Sequence, residues 1–153
     1  MIHKHQGSST NCYVGNMEQS TWISLANLLH FMDVDVRSPQ YFQTLFEKIQ
    51  SQGPIERIDV QRVFQDLLQP DFTVQGYSSN FKDIPGWHEL EPVLLLAQPR
   101  IYIPAQGAEF VAVGGRIIRQ ILVVNYTGIP RFLYDLPEFN SYITVTGPSS
   151  KLK

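Results

Sequence analysis

A single cysteine, Cys12, stands in the 153 residues, so no internal disulfide can staple the chain and no cysteine-rich zinc site can form. No histidine follows His88, which leaves residues 89–153 without an imidazole. The longest apolar runs, such as "PVLLLA", fall far short of the ~20 residues that cross a bilayer, and the polar start "MIHKHQGSSTN" lacks the apolar centre of a signal peptide. The expectation is therefore a protein with no membrane span, either cytoplasmic or exported by a route that reads no such signal. Neither sign of charge dominates: the formal net charge is −2 with Lys and Arg scattered, so no basic stripe offers itself to nucleic acid. Repeats and low-complexity tracts are absent. The glycine stretches "QGYSSN" and "VGGR" precede no helix, so they read as turns rather than phosphate loops. No cofactor or metal is expected.

What is present describes one folded domain over residues 1–153, because 43% hydrophobic against 17% charged residues suffices for a core. The first half is helical by period. In "STWISLANLLHFMD", Trp22, Leu25, Ala26, Leu28, Leu29 and Met32 recur every three or four positions, with Asn16 or Ser20 as N-cap. "SPQYFQTLFEKIQSQG" has Ser38 as cap, Pro39 at the first helical position and Gly53 beyond the end, and "IDVQRVFQDLLQP" runs from Asp59 to a stop at Pro70. The period then changes to two. Strands are expected at Val93–Ala97, Glu109–Val113, Gln120–Asn125, Phe132–Tyr134 and Tyr142–Thr146, with a hairpin turn around Gly114–Arg119. Helices followed by strands predict an α+β fold, with N-terminal helices packed on a mostly antiparallel C-terminal sheet.

The order of these elements, closing with "PVLLL…GAEFVAVGG…ILVVNYTG…FLYDLPEF", resembles the papain-like cysteine peptidases, in particular their small bacterial branch. In that family a cysteine opens a buried helix, a histidine begins a strand, and an Asp or Asn ends the next strand. The helix N-terminus and the imidazolium stabilise the thiolate while the third residue orients the ring. The resemblance places the histidine on Glu109 and the orienting residue on Asn125. A carboxylate with an ordinary pKa of about 4.3 is a poor base for a thiol of about 8.5, and its charge opposes the thiolate. The nucleophile falls in one of two registers. In the first, "STWISLANLL" matches the family's helix start and puts Thr21 at the cysteine position. In the second, "QGSSTNCY" matches an oxyanion-hole Gln six residues before the cysteine, giving Gln6 and Cys12.

Three readings follow. The resemblance implies a peptidase-like protein without catalysis that binds a peptide or protein partner. The second register implies an active cysteine peptidase or acyltransferase using Cys12, Gln6 and a displaced histidine. The third is an unrelated α+β effector or immunity-type module. His3 and His5 read as a solvated pair in a polar tail, His30 as a cation favoured at a helix C-terminus, and His88 as too near "EPVLLL" to begin the matching strand. Tyr102, Tyr126, Phe132, Tyr134, Phe139 and Tyr142 read as sheet core, or as a partner surface where several are exposed together.

Overall fold

The first long helix, α1 (Ser20–Phe31), has every residue from Trp22 to Leu29 buried, and a helix apolar all round must be covered all round. The computed structural model describes residues 2–4, 12–53, 55, 59–77, 93–97, 109–117, 120–134 and 141–147, with the backbone alone for 93–97, 109 and 115–117. Two short strands, β1 (His3–Lys4) and β2 (Tyr13–Val14), pair antiparallel ahead of α1. A 3-10 turn at Met17–Gln19 runs straight into the helix, and the Ser20 N–H donates to the Met17 carbonyl. This explains why neither Asn16 nor Ser20 caps α1 with its side chain: the preceding turn already supplies an acceptor for the first helical donor.

After α1 the chain reverses through Asp33, whose φ of 62° is left-handed, into α2 (Val34–Arg37). Ser38 then precedes α3 (Pro39–Gln50), which begins with Pro39 as expected and buries Phe42, Leu45 and Ile49. Helix α4 (Val60–Leu68) buries Val60, Phe64 and Leu68, and the Phe64 ring meets Trp22 of α1 at 5.4 Å. Ser38 and Asp59 occupy the expected cap positions without a side-chain cap bond.

The remaining strands are β3 (Thr73–Tyr77), β4 (Val93–Ala97), β5 (Glu109–Ile117), β6 (Gln120–Val124), β7 (Pro130–Leu133) and β8 (Tyr142–Thr146). They form one sheet in the order β3-β8-β4-β5-β6-β7 with every neighbour antiparallel. The α+β class read from the sequence is therefore the class of the fold. Two expectations are corrected. Thr73–Tyr77 is a strand, although its "TVQGY" looked like loop, because β8 offers it a full register of partners. The hairpin expected around Gly114–Arg119 joins β5 to β6, but it begins later than Gly114: β5 continues to Ile117 through a bulge between Val113 and Gly115, so both glycines lie in the strand. A Cβ on Gly114 would stand 3.0 Å from Leu122 and 3.1 Å from the Phe31 ring, so glycine serves close packing rather than a turn.

Alternation along β5 directs Phe110 and Ala112 into the cluster shared with α1, while Val111, Val113, Ile121 and Val123, on the other face, are also fully buried. Both faces of the central strands are covered.

Candidate functional site

Two contacts fix how α1 lies on β5. Ser24, buried in the second turn of the helix, has its hydroxyl 2.7 Å from the Phe110 carbonyl oxygen and 2.9 Å from that of Ser20. Seven residues on, Phe31 packs over Gly114. Helix and strand therefore run in the same sense, and the turn one step before Ser24, which carries Thr21 on the same face, comes level with Glu109 at the start of β5. Asn125 directly follows Val124, the partner of Ala112 across the β5–β6 pair, so it stands at that same end. The three positions thus lie toward one end of the α1, β5 and β6 packing, with 109 out of phase with the α1-facing Phe110.

Their chemistry is not that of a thiol triad. Thr21 is half-buried in the first turn of the helix. Asn125 is buried, and its Oδ1 accepts from the Thr127 N–H at 3.0 Å and from the Thr127 hydroxyl at 2.6 Å. An amide oxygen has two lone pairs, and this one spends both on the turn that follows. Gly128 then takes a positive φ of 72° and donates its N–H back to the Asn125 carbonyl at 3.1 Å. Two residues before Thr21, the Oε1 of Gln19 is buried and has no hydrogen-bond partner among the described residues.

Cys12 lies elsewhere. It is fully buried ahead of β2, packed with Leu122, Val124 and Phe31. It opens no helix, and Phe31 marks the C-terminal end of α1, so Cys12 lacks the helix N-terminus that its register as nucleophile requires. Gln6, His5 and His88 lie outside the described residues. Among those described, no group of His, Cys, Asp and Glu could hold a metal ion, and no helix is long and apolar enough to cross a membrane.

His30 and two side chains invisible to pattern reading form a second constellation. The His30 Nδ1 is 2.8 Å from Asp35 Oδ2, and the Lys4 ammonium stands 3.5 Å from the same oxygen. Burial pushes the Asp35 carboxyl up, but the hydrogen bond and charge of His30, together with Lys4, outweigh it and hold the group below the ordinary carboxylate range. Burial and the neighbouring Asp35 both raise the Tyr13 phenol. Asn27, wholly buried in α1, clamps β2 by accepting from the Tyr13 N–H at 2.6 Å and donating to its carbonyl at 3.1 Å. The signal for Ser24 and Asn27 was in "TWISLANLLHF": two polar residues in an apolar helix must find partners inside the fold.

No protein-family model, no curated protein and no solved structure matches the chain.

Proposed function

We propose that the chain is a binding protein built on a papain-like peptidase scaffold without thiol catalysis, and that it holds a peptide or protein partner where α1, β5 and β6 meet. What supports this reading is the course of α1 along β5, which leaves positions 21, 109 and 125 toward one end of the packing, the end at which the resemblance puts nucleophile, base and orienting residue. A threonine alkoxide is far harder to form than a thiolate, and a carboxylate supplies no positive charge to stabilise either. The amide oxygen of Asn125, engaged by Thr127, has no lone pair left for an imidazole N–H. The buried Oε1 of Gln19, two residues before Thr21, is an acceptor that a partner's N–H would satisfy.

The test uses a thiol-directed activity probe at neutral pH in a Cys12→Ser background. The Thr21→Cys, Glu109→His double variant is expected to label faster than either single variant, because a neighbouring imidazole raises the thiolate fraction. The wild-type chain is expected to show neither labelling nor peptide cleavage. Equal labelling of Thr21→Cys alone and of the double variant would show that positions 21 and 109 do not meet, and cleavage by the wild type would overturn the loss of catalysis.

A further inference from the structure

An open groove of about 440 Å³ lies between β1, β2, α2 and α3, within the size range of small-ligand sites. Its walls include Tyr13, Pro39, Phe42 and Phe46, and the rings of Tyr13, Phe42 and Phe46 pack on one another at 5.1–5.8 Å. The N-terminal wall is held in place from α3: the Gln50 side chain accepts from the Ile2 N–H at 3.2 Å and donates to the Ile2 carbonyl. Asp35 also lines the groove, and its side chain is only 7% exposed. Its two oxygens are treated unequally. Oδ2 faces both His30 and Lys4, whereas Oδ1 is buried with no hydrogen-bond partner. A buried carboxylate oxygen left unmatched is costly, so Asp35 has capacity for one more donor than the described residues provide.

The occupant of the cation position is loosely held. Lys4 is 41% exposed, its ammonium is 3.5 Å from Oδ2, and it lies 5.5 Å from the centroid of the Tyr13 ring. A point charge at that distance satisfies one oxygen at most. A guanidinium presents a planar fork that reaches both oxygens of a carboxylate, and it also stacks on aromatic faces. We propose that this groove binds an arginine side chain of a peptide or protein partner, with Asp35 as counter-ion and Lys4 as an internal competitor for the same place. This inference stands on residues remote from Thr21 and Glu109 and does not rest on the function proposed above.

The experiment titrates the isotope-labelled full chain with three short blocked peptides that differ only at one central residue: arginine, lysine or the neutral isostere citrulline. Amide shifts of Val36, Phe42 and Phe46 report on the groove. The arginine peptide is expected to bind there, lysine more weakly, and citrulline weaker by about tenfold or more for loss of the charge pair. Lys4→Met should tighten binding of the arginine peptide several-fold by removing the competitor. Asp35→Asn should abolish it. Because Asp35 is buried, the exposed Val36→Lys serves as a second loss variant that leaves the core untouched and repels the guanidinium. Equal binding of citrulline and arginine peptides, shifts confined to other parts of the chain, or unchanged affinity in Lys4→Met would each overturn the proposal.

Discussion

Each end of α1 has one buried oxygen near it without a hydrogen-bond partner, Gln19 Oε1 at its start and Asp35 Oδ1 beside its end, and the two differ in what they ask of the fold. Gln19 is a neutral amide on a half-buried side chain, free to turn toward water at small cost. Asp35 is a carboxylate almost closed off from solvent, already paired on its other oxygen with His30 and Lys4. In the first region the other polar side chains are already committed, since Ser24 closes on two carbonyls and Asn125 on Thr127. The second keeps a charge whose partners, His30 and Lys4, both meet the same oxygen and leave the other unmatched. An unmatched buried group is informative in proportion to its charge, and by that measure the groove is the more specific of the two sites.

The comparison depends on α1 being the frame of both regions, and the largest effect should come from cutting that frame. Leu25→Ala and Leu29→Ala, at fully buried positions, are each expected to cost ~2–5 kcal/mol in denaturant titration. A loss below ~0.5 kcal/mol at both, the size of an ordinary surface change, would make the helix peripheral. Asn27→Ala should cost less, about 1–3 kcal/mol, by stranding the Tyr13 N–H and carbonyl. Its damage should be one-sided: weaker arginine-peptide binding in the groove, with thiol labelling of the Thr21→Cys, Glu109→His variant unchanged. Equal damage at both ends would break the comparison.

Acid separates the regions further. The Asp35 pKa is lower in the folded chain than its ordinary 3.8, so the unfolded state binds the extra proton first. The stability this group contributes is fully present above pH 3.8 and is lost as pH falls below it. In Asp35→Asn the fall in denaturation midpoint below that pH should be shallower than in the wild type, and an identical slope would show that His30 and Lys4 do not hold the carboxylate. The smallest effect belongs to Gln19→Met. Removing an unpaired neutral acceptor should change stability by no more than about 0.5 kcal/mol in either direction, measured by the same titration.

Legibility in the sequence followed periodicity. The three helices announced themselves because Trp22–Leu29, Phe42–Ile49 and Val60–Leu68 repeat at helical spacing over two or more turns. Strand β3 did not, because four of its five residues are exposed and Gly76 interrupts the pattern. The twin glycines of β5 imitate a turn, and only the ring of Phe31 pressed on Gly114 shows why the strand needs them. Positions 21, 109 and 125 were suggested by the order of elements alone, whereas the commitment of Asn125 to Thr127 is local chemistry, an Asx turn written in "NYTG". The groove was out of reach. Lys4, Tyr13, Asp35 and Phe46 come from four separate elements, and "DVDVRS" has no period to say that Asp35, among its neighbours, points inward.

The strand order carries a consequence for synthesis. Strand β3 joins the sheet only through β8, and β4 also borders β8, so the final strand of the sheet is wedged between two that emerge much earlier. At roughly 5–20 residues per second on the ribosome, Tyr77 waits on the order of seconds for Tyr142, its partner. Until then the nascent chain exposes two strand edges that β8 closes, and exposed edges recruit other chains. A product stopped short of Tyr142 is therefore the form of this protein expected to self-associate, because both edges wait on β8.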